Sequence, residues 1–512
     1  MVTRIQILFL FQGSNRESFL VKIINPMGEG EPMGKAKSGG SETPALHFAG
    51  IALFLSSSML WLYRHDLIRI NYIIGTILMF RAAEYGISKS SLFAENESTL
   101  ESSSLLRRAK IYSTLVALSL MFILVSATLF LQFSQQVGGD PEPYDSENYY
   151  DGSFHNREEL DAGDGFTLQT AVDYLIDDGS RAPGSVLPSI EFTPMNITGE
   201  ELGITWFGHS SILLQTKNIT LLFDPVFGED NTDPLFFGPS PFDYEHDYQL
   251  QDLPHIDYVF ISHDHYDHLD MGTVKFLNTS EYIVPLGVKA HLIEWGIPKS
   301  NIQEFDWYQE ANISEEMSVV FTPSQHFSGR GLSPDNTLWG SWAVYINQHR
   351  LYFSGDGGYS SEFSKIGEAY GPFDIAFIEA GQYDEAWADV HMFPNQTVQA
   401  AIDLKAATLL PIHNTKFVLA LHGWDEPLEE VTLEGQRRNV SVTTPMIGES
   451  FVLGQAMPNE LWWRNVSVYE PPFLKESSFI GTAMYTSMIA ALVMIRLDSS
   501  NGKKRIELTY ED

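Results

Sequence analysis

Three histidines and three aspartates fall within ten residues of one stretch, ISHDHYDHLD (261–270). His263 and His265 are two apart, so on an extended backbone both imidazoles project to one face. Asp267 and His268 follow where the chain turns towards a helix, and they reach the same cavity from another side. The spacing offers two imidazoles to one cation, and a carboxylate plus an imidazole to a second. Neutral imidazole and carboxylate suit zinc, which accepts such donors while keeping coordination positions open. The competing reading is a surface loop that is histidine-rich by chance. With only 15 histidines in 512 residues, so dense a cluster favours the metal site. The chain has no cysteine, which excludes disulfides and thiolate ligation and leaves His, Asp and Glu to hold any metal.

The elements that would position these groups are short and β-rich. DYVFIS reads as a buried strand, and the cluster spills from its C-terminal end. Other single polar residues follow later apolar runs: His326 after VVFTPSQ, Asp356 after LYFSG, His413 after TLLPI. Taken alone, each reads as readily as a loop or capping residue; together they make a shared site plausible. Twelve of the 15 histidines lie between His209 and His422. From about 190 to 470, β-branched and aromatic runs alternate with turn signals and are broken by a few helical stretches. That pattern predicts packed sheets with helices outside them.

The rest of the chain has a different character. Residues 46–63, 70–80 and 111–133 are apolar runs, the last with over twenty residues and no charge, and they predict about three transmembrane helices. A weaker run, 478–495, reads equally as a membrane span or a core helix. Basic residues (RRAK, 107–110) precede the third run and KKR (503–505) follows the last, whereas 134–165 is acidic. The positive-inside bias then places the intervening region outside the cytoplasm. Seven Asn-x-Ser/Thr sequons lie in that region, at Asn196, Asn218, Asn278, Asn312, Asn395, Asn439 and Asn465. Expected boundaries are a tail (1–45), a membrane region (46–133), an acidic linker (134–190), a catalytic domain (191–470) and a C-terminal segment (471–512). The formal net charge of -35 argues against nucleic acid as a partner, because phosphate backbones would be repelled. No signal of oligomeric state is present.

The stretches ITWFGHSS (204–211), FDPVF (223–227), LPHIDYVFISHDHYDHLD (253–270) and FTPSQHFSGRGLSPDNTLWGSWAV (321–344) resemble the metallo-β-lactamase superfamily. Within it they are similar to the N-acyl phosphatidylethanolamine phospholipase D branch, as are SGDGGY (354–359), HMFPNQTV (391–398) and PIHNTKFVLALHGWDEP (411–427). The resemblance spans about 200–450 and implies an α/β fold, an αββα sandwich of two sheets with outer helices, here preceded by N-terminal transmembrane helices. It implies two Zn2+ ions, the first held by His263, His265 and His326 and the second by Asp267, His268 and His413, with Asp356 bridging. Asp267 would steer a proton on the attacking water, and His391 matches a position that contacts substrate or leaving group. His209 and Asp224 are candidates to orient the ligands from behind, since metal-bound imidazoles donate their second N–H to a carboxylate or carbonyl. Tyr383 and Trp424 are candidates to line the cleft. Three departures lie on the substrate side: Gly357 stands where Thr is usual, Asn395 where Glu is usual, and HNTKF replaces His-Trp-Gly-Thr-Phe.

These readings converge on a membrane-anchored dizinc phosphodiesterase with a phospholipid substrate. A lactonase or phosphosugar hydrolase with the same cage, and a non-catalytic zinc-binding surface module, are the alternatives.

Overall fold

The computed structural model describes residues 134–466 apart from 161–169, 171–179, 229–239, 279 and 332, together with Ser119 and Ser126. The apolar runs expected to cross a membrane, and residues 1–45 and 471–512, otherwise lie outside the described residues. Among the described residues no helix is long and apolar enough to cross a membrane.

A small hairpin, β1 (Tyr149–Tyr150) and β2 (Ser153–Phe154), precedes two larger sheets. The first sheet contains β3 (Gly203–Trp206), β4 (Ile212–Gln215), β5 (Thr220–Phe223), β6 (Tyr258–Phe260), β7 (Glu281–Pro285) and β8 (Ile302–Phe305). The second contains β9 (Glu310–Asn312), β10 (Met317–Thr322), β11 (Ser341–Ile346), β12 (His349–Phe353), β13 (Ile375–Glu379) and β14 (Leu409–Ile412). A last strand, β15 (Ser450–Val452), returns to the edge of the first sheet beside β3. The orders are β15-β3-β4-β5-β6-β7-β8 and β14-β13-β12-β11-β10-β9. In each sheet one half is antiparallel and the other parallel. The parallel halves run β5 to β8 and β12 to β14.

Side-chain alternation explains the layers. Leu221 and Phe223 of β5 enter the central core, while Leu222 between them faces outward. On β13, Ile375 and Phe377 point to the centre and Ala376 and Ile378 away from it. Both faces of each sheet are therefore apolar, and the outer faces are covered by helices. Helices α1 (Met271–Phe276) and α2 (Val288–Glu294) pack on the first sheet through Val274, Val288 and Leu292. Helices α3 (Glu362–Ala369), α4 (Pro394–Asp403) and α5 (Glu426–Arg438) cover the second through Ile366, Val398 and Val431. The αββα order expected from the resemblance is what these contacts describe.

The centre is aromatic. Phe223, Phe260, Phe305, Phe321, Trp342 and Phe353 are all nearly inaccessible, and burying each contributes roughly 1.5–3 kcal/mol. Trp342 also donates its indole N–H to the carbonyl of Ile261 at 2.9 Å, which ties this core to the backbone two residues before His263.

Part of the acidic segment expected to be a linker lies on this fold. Phe154 is buried in the central core, and its N–H donates to the carbonyl of Asp335. Tyr144 donates to Glu304 at 2.8 Å, and the Asn156 side chain reaches the backbone of His326.

Candidate metal centre

The site forms where strands end. β3, β5 and β6 of one sheet and β10, β12, β13 and β14 of the other all run towards the same edge. Beyond their C-termini come His209, Asp224, His263, His326, Asp356 and His413 in turn, and β13 itself ends on Glu379. Two backbone bonds join the sheets here: His209 N–H donates to Asn414 O, and His413 N–H to His209 O, both at 2.9 Å. His209, Asp224 and His413 adopt φ of 50°, 37° and 65°, a left-handed region uncommon for such residues. Unusual backbone of this kind collects at functional sites, where surrounding structure must hold it.

Two side-chain clusters face each other. In the first, His263 Nε2 lies 2.9 Å from His265 Nδ1, which lies 3.3 Å from His326 Nε2. In the second, Asp267 Oδ2 is 2.9 Å from His209 Nε2, 3.5 Å from His413 Nε2 and 3.6 Å from His268 Nε2. Asp356 stands between them. Its Oδ2 is 3.1 Å from both His268 Nε2 and His413 Nε2, 3.8 Å from His263 Nε2 and 3.9 Å from His326 Nε2. Every residue expected as a ligand is thus brought into one site. His209, expected behind the ligands, borders the second cluster directly.

The donor set fits divalent cations. The nitrogens of His263, His265 and His326 lie close enough to be ligands of one ion. Asp356 Oδ1 is buried without a hydrogen-bond partner, a costly arrangement unless something else satisfies it. Burial holds His263, His265 and His326 below the usual histidine range, so their lone pairs are free to ligate. For Asp356, burial alone would raise the carboxyl, but the facing His268 and His413 outweigh it and hold it well below the usual range.

Residues 220–414 match the model of the β-lactamase superfamily domain. An uncharacterised protein of Mycobacterium tuberculosis is 39% identical over 336 residues, which cover 62% of this chain and 88% of that one. An N-acyl-phosphatidylethanolamine-hydrolyzing phospholipase D of Caenorhabditis elegans is 34% identical over 244 residues, 45% of this chain and 68% of that protein. The chain belongs to the metallo-β-lactamase superfamily. A mitochondrial N-acyl-phosphatidylethanolamine-hydrolyzing phospholipase D of Saccharomyces cerevisiae is more distant, 28% identical over 241 residues, 45% of this chain and 51% of that one.

Within this superfamily scaffold, neighbouring groups fix how His268 and His326 are turned. Asp224 Oδ2 is 2.7 Å from His268 Nδ1, and the same carboxylate accepts from the N–H and hydroxyl of Ser262. His268 therefore presents Nε2 to the cluster, as expected for a carboxylate behind a ligand. His326 is turned by the carbonyl of Val390, 3.1 Å from its Nδ1.

Glu379 was not anticipated. It is fully buried, with Oε2 2.9 Å from His391 Nδ1 and 3.6 Å from His413 Nδ1. Its other oxygen accepts the N–H of Met392. One carboxylate thus faces a ligand and His391 together. His391 packs 5.2 Å, centroid to centroid, from both His326 and His413, and its side chain is 14% exposed. Burial would lower His391, but the charge of Glu379 wins and raises it. The only sequence signal for Glu379 was an acid closing the apolar run IAFIE, the same pattern that exposed Asp356.

Tyr383 and Trp424, expected to line the cleft, both pack against neighbouring rings. Trp424 is buried in the central core, packs 6.5 Å from Trp462, and also lines a small cavity with Gln382, Asn414 and His422, beside His413. Tyr383 turns its hydroxyl to Glu426 at 2.9 Å and stacks on His422. The departures also have local reasons. A Cβ at Gly357 would sit 3.1 Å from Ser324 Cβ and 3.2 Å from Gln325 N, so a side chain there would need the neighbouring segment to give by a few tenths of an ångström. Asn395 is exposed on the first turn of α4. Lys416 is buried, donates to Val226 O at 2.6 Å, and is pushed down to about 8 by burial.

Proposed function

We propose that the chain is a membrane-anchored, zinc-dependent phosphodiesterase of phospholipase D type that cleaves an N-acyl phosphatidylethanolamine-type lipid. The apolar runs would anchor it, and the flanking charge favours a catalytic domain outside the cytoplasm. The observation that carries the reading is Asp356, one carboxylate oxygen within 3.1–3.9 Å of imidazoles from both clusters. The relatives in the worm and in yeast support the substrate class.

His263, His265 and His326 would hold one cation, Asp267, His268 and His413 the other, with Asp356 shared. Bound there, two divalent cations supply Lewis-acid charge for a phosphoryl oxygen and make water a better nucleophile. The protein's own groups do the rest. Asp267 is 14% exposed, and it stays anionic because His268 and His209 overcome the burial that would raise it. It is placed to orient the attacking water through that water's proton. His391, held by Glu379 at Nδ1, leaves Nε2 for the substrate. Its raised affinity for a proton suits it to protonate the departing alkoxide of an N-acylethanolamine.

The test is the full chain in detergent or vesicles, with two zinc ions per chain, presented with N-acyl phosphatidylethanolamine. Phosphatidic acid and N-acylethanolamine should appear, and neither should form with the metal-stripped or Asp356→Asn protein. Undiminished hydrolysis by either would overturn the mechanism. Because Gly357 and Asn395 depart from the usual pattern near the substrate, a lactone belongs in the same panel. Lactone turnover without diester turnover would replace the substrate reading with that of a lactonase.

A further inference from the structure

The seven sequons between residues 134 and 477 find no use in the metal chemistry, yet their placement is selective. All seven asparagines are exposed. The seven other described asparagines behave differently: Asn148, Asn156, Asn301 and Asn336 are half-buried and Asn414 is buried, leaving only Asn347 and Asn459 exposed. Exposure therefore follows the Asn-x-Ser/Thr pattern and not asparagine as such. The flanking residues do not explain it, since Ile197, Ile219, Thr397 and Ser280 inside the same motifs are buried.

Strand direction shows where these side chains emerge. Asn218 lies in the turn before β5, which runs from Thr220 towards Asp224 at the metal edge. Asn278 precedes β7, whose first residue, Glu281, pairs with Tyr258 at the start of β6. Asn312 pairs with Ser318 at the start of β10, which leads to His326. Asn439 lies three residues before Val442, which bridges to Leu409 at the start of β14, the strand leading to His413. Asn196 follows Met195, whose N–H donates to Gln215 at the end of β4, opposite the first residue of β3. All five stand at the end of the sandwich opposite the metal edge. Four strand residues at about 3.3 Å each already separate the two ends by on the order of 13 Å.

The other end is occupied by protein. Arg330 donates to Gln136 O at 2.8 Å and to Asp264 O at 2.6 Å, and Asn156 holds the His326 backbone. The residues that follow the apolar run 111–133 thus meet the fold at the metal edge.

We propose that the domain carries N-linked oligosaccharides at Asn196, Asn218, Asn278, Asn312 and Asn439, on the end opposite the metal centre. The proposal rests on the extracytoplasmic placement above. In the reaction the Asn Nδ2 attacks the anomeric carbon of an oligosaccharide linked to a polyprenyl diphosphate. The carbon–oxygen bond to diphosphate breaks, the lipid diphosphate leaves with the electron pair, and the amide loses one proton. Asn218 must give up its 2.7 Å bond to Glu316, an exposed contact that water replaces. Two sequons fall outside the five: Asn465, exposed but with no strand register tying it to either end, and Asn395, exposed but four residues from His391, where an oligosaccharide would stand over the cleft and which stays bare.

Full-length protein purified from its native membranes is digested with peptide N-glycosidase in 18O-water, and its peptides are read by mass spectrometry. Labelled aspartate at three or more of the five positions, with a drop in apparent mass on gels, is the expected result. Label at fewer than three, or predominantly at Asn395, overturns the proposal. The same preparation is assayed for diester hydrolysis. Labelled but inactive protein would retain the glycan assignment and remove the hydrolase reading; active, unlabelled protein would do the reverse.

Discussion

The two halves of the metal centre differ in charge more than in geometry. His263, His265 and His326 form an all-imidazole group whose nearest bridging carboxylate oxygen is 3.8–3.9 Å away. His268 and His413 instead stand 3.1 Å from the same oxygen, with Asp267 beside them. Burial keeps the first three imidazoles neutral. In the second group burial would also lower His268, yet Asp356 and Asp267 raise it well above the usual range. The second position thus offers a cation much more negative charge, and the first offers neutral nitrogen. Two such positions are not interchangeable, although each has one partly exposed member, His265 in the first and Asp267 in the second.

Asp356→Asn should produce the largest effect, because it touches both groups at once. Turnover of the diester is expected to fall roughly a thousandfold or more, and bound metal, measured by elemental analysis, should drop from two per chain towards none. Retention of both metals would show that Asp356 is not shared. The asymmetry itself is sharpened by comparing Asp267→Asn with His326→Gln. Each is expected to cost on the order of a hundredfold in turnover, but each should leave one metal per chain. The Asp267 variant should empty the position that depends on anionic charge. If both variants lose the same ion on competitive titration with a chelator, the two halves are equivalent and the contrast is wrong.

The ligands also differ in how openly the chain declared them. His263, His265, Asp267 and His268 come from a single loop after one strand, so their spacing alone implied a cage. His326, Asp356 and His413 are lone residues after separate strands, meaningful only once β10, β12 and β14 are known to end at one edge. The layers followed from the alternation of apolar residues, which registers burial on both faces. Strand order did not, because β12–β13 and β5–β6 pairing joins segments separated by long connections. Glu379 was hidden because a single acid at a strand end reads as a boundary. Asn156 was hidden because acidic, Gly- and Ser-rich composition says nothing about where a segment docks.

Glu379→Gln probes the join between a ligand and the substrate side. The amide keeps the shape but removes the negative charge that bonds His391 and faces His413. A ten- to hundredfold loss is expected, falling mainly on kcat, with KM little changed and the far-UV spectrum native. Glu379→Asp should restore part of it if charge is what matters. A KM effect alone would move Glu379 from orienting His391 to shaping the pocket.

Asn156→Ala is the gentlest way to disturb the all-imidazole half without touching a ligand. The Asn156 amide donates to His326 O, and its carbonyl accepts His326 N–H at 3.1 Å and the Trp339 indole N–H at 3.2 Å. Hydrogen bonds of this kind contribute about 1 kcal/mol each net, so the variant should unfold a few degrees earlier. The sharper expectation is selective. The first metal should be lost to chelator severalfold faster, while the second, held by Asp267, His268 and His413, should leave at its usual rate. Equal acceleration of both would mean that residues 134–157 stabilise the fold as a whole. Selective loss would mean that the chain just beyond the apolar run 111–133 helps to hold one particular ligand in place.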